Sequence, residues 1–138
     1  LWAGSLSPRA IRRVARWADG LCGFGFGPSI EEAARSFDVA RAAWREAGRP
    51  APELVTSFWY ALGPRAREQM DAYLRRYLGF LGADAAERLL PAVRVTSAAR
   101  LREALRGLRD AGADEALLVP TTLDPEDLDR VADVWAGV

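Results

Sequence analysis

Histidine and lysine are absent from the sequence, and there is a single cysteine, Cys22. Without histidine, the chain cannot form a Ser-His-Asp or Cys-His catalytic pair or a zinc site of the usual Cys/His kind, so we expect no metal. Without lysine, a Schiff-base mechanism is excluded as well. A lone cysteine cannot form a disulfide within the chain, which favours a reducing compartment, and we expect a cytoplasmic protein.

An excess of charge of one sign is also missing. The 19 basic residues, all arginine, balance 19 acidic residues, so the formal net charge is zero. With no basic field to attract them, nucleic acid and membrane surfaces are not expected partners. No apolar run approaches the roughly 18 residues that cross a bilayer. The abundance of Ala, Arg, Leu and Gly is typical of a GC-rich bacterial genome.

Apolar strands alternate with amphipathic helices along the 138 residues. The patterns predict strands at 1–3, 21–24, 53–62 and 115–119. They predict helices at 8–17, 29–47, 64–78, 83–90, 96–111 and 125–135. The order β-α-β-α-β-(α insert)-α-β-α indicates a parallel sheet that helices cover, with right-handed crossovers.

Two architectures fit this order of elements. One is a small doubly wound sheet, and the other is four consecutive units of a (β/α)8 TIM barrel, which needs eight strands. The chain opens on Leu1 and Trp2, with neither an initiator Met nor a signal-peptide pattern. That opening favours the second reading, an α/β C-terminal half-barrel. We therefore treat residues 1–138 as one domain truncated at its N-terminus.

A longer resemblance runs in the same order along the chain. Residues 4–20 read Gly-Ser-Leu-Ser-Pro-Arg-Ala-Ile-Arg-Arg-Val-Ala-Arg-Trp-Ala-Asp-Gly. This resembles the Gly-Gly-x-Ser-Pro-x-Ala-x-Arg-Arg-Ala-Ala-Arg-x-Ala-Asp-Gly stretch of the luciferase-like flavin-dependent monooxygenases and oxidoreductases. Residues 46–49, 96–101 and 112–120 are similar to a helix end, a late helix and the last barrel strand of that family. The resemblance covers nearly the whole chain and corresponds to the family's last four strands.

The resemblance implies a function and a cofactor. It implies an oxidoreductase or monooxygenase that uses FMN or a deazaflavin (coenzyme F-420) to transfer a hydride, or to activate oxygen, toward a small organic substrate. We expect the 138-residue piece alone to be inactive. The chain departs from the family at Ala3-Gly4, where two glycines are common, and at 23–27, where Asp-Gly-Trp is frequent.

The candidate cofactor-binding residues are Gly4, Ser5, Leu6 and Ser7, which join the first strand to a helix N-terminus. Backbone N–H groups and the positive end of a helix dipole suit a phosphate there, and Gly4 permits close approach. The alternative interpretation of Ser7 is an ordinary helix N-cap before Pro8.

The candidate substrate-binding residues lie at the ends of other strands. Phe24 and Phe26 belong to a Gly-Phe-Gly-Phe-Gly loop that is either a lip over the flavin ring or a flexible turn, and Thr121 follows the last strand. We interpret Trp59 as packing and Cys22 as a small core residue. No residue stands out as a general acid or base, so the catalytic residues stay unidentified.

Two other functions remain open at this stage. A half-barrel exposes an unpaired parallel edge and part of an apolar interior, so it should form homo-oligomers or associate through that exposed half. The chain is then a non-catalytic flavin-binding or interaction module. The other possibility is a small doubly wound domain unrelated to the luciferases.

Overall fold

The computed structural model describes residues 1–138 and contains four strands and six α-helices. The strands are β1 (Trp2–Gly4), β2 (Gly20–Gly25), β3 (Glu53–Tyr60) and β4 (Glu115–Pro120). The helices are α1 (Pro8–Val14), α2 (Ile30–Glu46), α3 (Ala66–Tyr77), α4 (Ala83–Leu89), α5 (Ala98–Asp110) and α6 (Glu126–Trp135). The predicted order of elements is therefore confirmed, including the helical insert between β3 and α5.

The strands form one parallel sheet in the order β1-β2-β3-β4. Ala3 pairs with Leu21, and Leu21 pairs with Leu54, so these three residues form one row across the sheet. Each strand is connected to the next through at least one helix. This is the βαβ arrangement that the alternation of apolar strands and amphipathic helices predicts.

The chain divides into two compact units, and the first contains Leu1–Gly25, Ser29–Phe58 and Gly107–Leu117. Its core forms where the row Ala3, Leu21 and Leu54 packs against α1 and α2. The large helix residues in this core are Phe37 and Trp44, both almost fully buried. Burial of each such side chain contributes about 1.5–3 kcal/mol, so this contact is the main source of stability in the first unit.

Packing against α1 and α2 defines two faces of the strands. We call the face that carries Ala3, Leu21 and Leu54 the outer face, because the helices cover it. Successive side chains of a strand point to opposite sides, so the neighbouring residues occupy the other side, which we call the inner face. On β3 the inner-face residues are Val55, Ser57 and Trp59.

The second unit contains Phe26–Pro28, Trp59–Arg106 and Leu118–Val138 and is mainly helical. Its fully buried side chains include Met70 and Leu74 on α3. The guanidinium of Arg67 donates to the carbonyl oxygens of Leu90 and Val93 at 3.2 and 3.0 Å. Arg67 thereby holds α3 against the turn that follows α4.

Most boundaries differ from the sequence prediction by one to three residues, and two of the differences have a clear physical reason. The strand predicted at 21–24 is confirmed and extends to Gly25, so residues 23–25 of the predicted Gly-Phe-Gly-Phe-Gly loop belong to β2, because the pairing with β3 continues to Gly25 opposite Phe58. The pairing of β2 with β3 therefore outweighs the preference of alternating glycines for turns. Helix α1, predicted to reach Trp17, ends at Val14, and the Trp17 N–H bonds to the Val14 carbonyl at 3.0 Å in a tighter turn.

Candidate functional site

The turn between β1 and α1 holds the four predicted cofactor-binding residues. Ser5 is buried, whereas Gly4, Leu6 and Ser7 are exposed. Ser7 is extended and caps α1, and its Oγ accepts the N–H of Ala10 at 3.3 Å. The interpretation of Ser7 as an N-cap is thus confirmed, and this cap satisfies one of the helix's free donors.

Unpaired backbone donors nevertheless remain in this turn. The N–H groups of Leu6, Ser7 and Arg9 donate to no group of the chain. Space beside the turn is open, since a Cβ on Gly4 would have only the Cys22 carbonyl oxygen as a neighbour, at 4.0 Å. A turn with three unpaired N–H groups and open space at Gly4 is suited to a small oxyanion. That Gly4, Ser5, Leu6 and Ser7 bind a cofactor phosphate stays a prediction.

Phe24 lies on β2 rather than in a loop. Its register partner is Ser57, so it belongs to the inner face of the sheet, where it is half-buried. The Ser57 hydroxyl is already engaged, because it donates to the Gly23 carbonyl at 3.0 Å. Phe24 therefore offers an apolar ring on the side of the sheet away from α1 and α2, and its contact with a substrate stays a prediction.

Four aromatic rings lie together in the second unit, and we call them the aromatic cluster: Phe26, Trp59, Tyr73 and Tyr77. Trp59 is at the centre, with ring centroids 5.8 Å from Phe26, 6.1 Å from Tyr73 and 5.4 Å from Tyr77. The tilted and edge-to-face angles are those that aromatic pairs prefer.

The tyrosines of this cluster were missed by the sequence analysis. Tyr73 and Tyr77 are four residues apart on α3, and their rings stack at 5.7 Å. The spacing was visible in the sequence, since residues i and i+4 of a helix share a face. Their contact with Trp59 was not visible, because it joins an insert helix to the end of a strand.

Gly27 shows why the turn after β2 needs a glycine. A Cβ at this position would overlap the carbonyl oxygen of Ala92. Backbone cannot give way as a flexible side chain can, so residue 27 has room for glycine alone. The glycine serves a close approach of two segments, a role that differs from the flexible turn considered in the sequence analysis.

Thr121 follows β4 and is buried, with an exposed fraction of 7%. Its N–H and its hydroxyl both donate to the Tyr60 carbonyl, at 3.0 and 3.2 Å. The hydroxyl proton is therefore used to join the ends of β3 and β4. A substrate contact by Thr121 stays a prediction, with the hydroxyl oxygen as its available acceptor.

Asp127 is a buried carboxylate near the start of α6, inside the helix predicted at 125–135. It is 1% exposed, and it accepts the Leu62 N–H at 3.2 Å and the Arg130 guanidinium at 2.6 Å. Burial, and then the charge of Asp127, raise the pKa of the Tyr60 phenol. Asp127 thus fixes the backbone directly after β3, which positions the strand end that carries Trp59.

Cys22 lies on β2, and Asp19 lies directly before that strand. Cys22 is half-buried, and burial raises the pKa of its thiol, as expected for a packing residue rather than an activated nucleophile. Asp19 accepts from the N-terminal amino group at 2.6 Å and from Arg49 at 2.9 Å, which lower its pKa. These two contacts hold Asp19 in the turn before β2.

Neither metal ligation nor membrane insertion is indicated. The structure brings together no group of three or more cysteine, aspartate or glutamate side chains that could hold a metal ion. None of its helices combines the length and the apolar character needed to span a membrane.

Comparison with known proteins gives matches at the level of structure only. No family model and no curated protein matches the sequence. An F420-dependent secondary alcohol dehydrogenase in complex with an F420-acetone adduct superposes with a TM-score of 0.74 and 16% identity, over 97% of this chain and 47% of that one.

Two other solved structures agree with this result. The coenzyme F420 dependent tetrahydromethanopterin reductase from Methanopyrus kandleri matches with a TM-score of 0.61 and 11% identity, over 94% of this chain and 47% of that one. The EDTA monooxygenase from Chelativorans sp. BNC1 matches with a TM-score of 0.66 and 18% identity, over 97% and 43%.

The chain therefore spans about half the length of the structures that it matches. Four parallel strands are half of the eight in a closed barrel. The predicted fold class is confirmed, and the small doubly wound domain is set aside. The chain has the fold of one half of the (β/α)8 barrel found in these F420-dependent and monooxygenase structures, as its resemblance to the luciferase-like enzymes implies.

Proposed function

We propose that this chain is the cofactor-phosphate-binding part of a luciferase-like oxidoreductase that uses FMN or a deazaflavin. The observation that carries the proposal is the turn from Gly4 to Ser7, with unpaired N–H groups on Leu6, Ser7 and Arg9 beside an open space. The half-barrel fold supports it, since ligands of such barrels collect at the carboxyl ends of the strands, where this turn lies.

The residues present fit an anionic cofactor tail. Backbone N–H groups can bind phosphate oxygens without help from a charged side chain, so such binding does not depend on the titration of a residue. Gly4, which has no side chain, leaves space for the phosphate. Helix α1 adds little, because it is seven residues long, Pro8 has no N–H and Ser7 already caps Ala10. The loop donors thus provide most of the proposed binding.

The bound flavin or deazaflavin supplies the redox chemistry, hydride transfer or oxygen activation on an organic substrate. The role of this chain is to bind and orient that cofactor and to keep water from it. On the inner face, the half-buried ring of Phe24 presents apolar surface beside Cys22, and burial raises the pKa of the Cys22 thiol, whereas Val55 is itself fully buried. The carboxylate of Glu53 on this face lies at the amino end of β3 and accepts the Trp2 indole N–H at 2.6 Å, away from the strand ends where ligands collect, so the chemistry relies on the cofactor and on residues outside this chain.

The test compares Gly4→Val with Arg12→Ala in the natural polypeptide that carries this sequence, with FMN and riboflavin as probes. Equilibrium binding is followed by flavin fluorescence. We expect Gly4→Val to weaken FMN binding by about tenfold, which corresponds to about 1.4 kcal/mol, because the side chain fills the phosphate space. Arg12, an exposed residue of α1, is the control and should leave the affinity unchanged.

Riboflavin lacks the phosphate and isolates its contribution. Its affinity should be the same in the wild type and in Gly4→Val if the turn binds phosphate. Equal loss of FMN and riboflavin binding, or equal FMN affinities of Gly4→Val and Arg12→Ala, contradicts the proposed site. If FMN does not bind, the same measurement is repeated with the deazaflavin, whose visible absorption differs plainly from that of FMN.

The alternative function, a non-catalytic association module, is favoured by one observation. Strand β4 is an edge strand of the sheet, and its residues are only partly buried although most are apolar, with Leu117 40% exposed. Such an edge pairs readily with further strands, from the other half of a barrel or from a second copy. A natural reading frame near twice this length supports the enzyme, whereas a product of this length that forms oligomers supports the module.

A further inference from the structure

The aromatic cluster combines one buried ring with exposed ones. Trp59 is 2% exposed, but Tyr77 is 55% and Phe26 37% exposed. A cluster that serves packing alone buries its rings, because an exposed aromatic ring loses most of the free energy that its burial would contribute. The exposed rings of Phe26 and Tyr77 lie next to a rigid, buried Trp59, at 5.8 and 5.4 Å.

The tyrosines of the cluster also have unused polar groups. Neither the Tyr73 nor the Tyr77 hydroxyl forms a hydrogen bond with another group of the chain. Each phenol can both donate and accept a hydrogen bond. The cluster therefore offers ring faces and free hydroxyl groups in one place, which is the combination found in sites for aromatic ligands.

The position of the cluster in the fold points to ligand binding as well. Trp59 is the last residue but one of β3, and it lies two residues beyond Ser57, so both belong to the inner face. Phe26 follows the end of β2, two residues beyond the inner-face residue Phe24. In parallel α/β sheets, ligands bind beyond the carboxyl ends of the strands.

We infer that the aromatic cluster binds a planar aromatic ring, which stacks on the exposed rings of Tyr77 and Phe26, while the buried Trp59 holds those two rings in place. This inference rests on the proposed function, because it names the substrate of that oxidoreductase as an aromatic compound. The flavin also contains a planar aromatic ring, so the ring that binds to the cluster belongs either to the substrate or to the cofactor. A competition experiment distinguishes these two sources.

The first experiment measures binding of phenol and of cyclohexanol, in the absence of any cofactor, to the natural polypeptide that carries this sequence. The two probes have the same number of carbons and one hydroxyl group, and they differ in planarity and aromaticity. Saturation-transfer NMR suits weak ligands and reports which probe contacts the protein. We expect phenol to bind roughly fivefold more tightly than cyclohexanol, the preference that ring stacking provides.

The second experiment uses Tyr77→Leu, Tyr77→Phe and the matched control Phe80→Leu. Phe80 is 79% exposed and lies three residues beyond Tyr77, outside the cluster. Tyr77→Leu should abolish the preference for phenol, Tyr77→Phe should retain most of it, and Phe80→Leu should leave it unchanged. Because Tyr77 is largely exposed, the variant folds, and far-ultraviolet circular dichroism verifies this.

Equal binding of phenol and cyclohexanol, or the same preference in Tyr77→Leu as in the wild type, overturns the inference. Competition then identifies the source of the ring. Phenol that stays bound while FMN is added indicates a substrate ring. Phenol that FMN displaces, together with weaker riboflavin binding by Tyr77→Leu, indicates the flavin ring.

The failure of this inference is distinct from the failure of the proposed function. If FMN binding depends on Gly4 but phenol does not bind, the aromatic site is wrong and the cofactor site stands. If phenol binds in a Tyr77-dependent way but neither FMN nor the deazaflavin binds, the proposed function is wrong and the ring site stands.

Discussion

The two faces of the sheet differ in what their residues do. On the outer face, Ala3, Leu21 and Leu54 form an apolar row that α1 and α2 cover completely. On the inner face, the next row consists of Gly4, Cys22 and Val55, with an open space beside Gly4. One residue along β1 thus separates packing at Ala3 from open space at Gly4, whereas Val55 of the same inner row is buried like its outer neighbour Leu54.

The largest expected effect lies on the helices that cover the outer face. Phe37 is 1% exposed in the core of the first unit, so Phe37→Ala removes a large buried ring and leaves a cavity. We expect a loss of about 3–5 kcal/mol in the free energy of unfolding, measured by urea denaturation. Arg35→Ala, at an exposed position of the same helix, is the control and should change it by at most about 0.5 kcal/mol.

An intermediate effect tests whether the inner face is open along its whole length. A Cβ on Gly20 would lie 2.5 Å from the Glu53 carbonyl oxygen and 2.9 Å from the Trp2 ring, whereas one on Gly4 meets no atom closer than 4.0 Å. Gly20→Ala should therefore lower the free energy of unfolding by about 1–3 kcal/mol. Gly4→Ala, the matched control on the same face, should leave it nearly unchanged. Similar losses in both variants would show that the space beside Gly4 is not open.

The smallest effect concerns the reactivity of Cys22 on the inner face. Burial raises the pKa of its thiol, so the thiolate, which is the reactive form, is scarcer at neutral pH than for a free cysteine. Alkylation by iodoacetamide should be slower than that of glutathione, and its rate should reach half of its maximum at a higher pH than for a free cysteine. FMN should slow it further, because Cys22 is the register partner of Gly4. A rate equal to that of glutathione at neutral pH would contradict the buried position.

Local signals in the sequence were sufficient for most of the fold. The helix starts were predicted to within two residues, and Ser7, Ser29 and Ser97 lie at the starts of α1, α2 and α5, where each hydroxyl accepts an N–H three residues later. The sheet order follows from the alternation of strands and helices. Two boundaries could not be predicted from local residue preference. Residues 23–25 belong to β2 because they pair with β3, and α1 ends at Val14 because its last turn is tightened.

The candidate sites were predictable only where one segment forms them. The turn after β1 is continuous in sequence, so its residues could be named in advance. The aromatic cluster joins β3 to an insert helix, and the Asp127 contact joins α6 to Leu62, 65 residues away. Contacts of this kind follow from tertiary packing, so neither composition nor periodicity gave a reason to pair Trp59 with Tyr77.

The close approach of Gly27 to the Ala92 carbonyl has a consequence for the ring beside it. Backbone that is fixed on one side by a neighbouring carbonyl has little freedom left, so Phe26 begins from an ordered position. Only its two side-chain torsions remain to be restricted when a ligand arrives. The entropy lost on binding is correspondingly small, and weak stacking forces can be sufficient to hold a ring there.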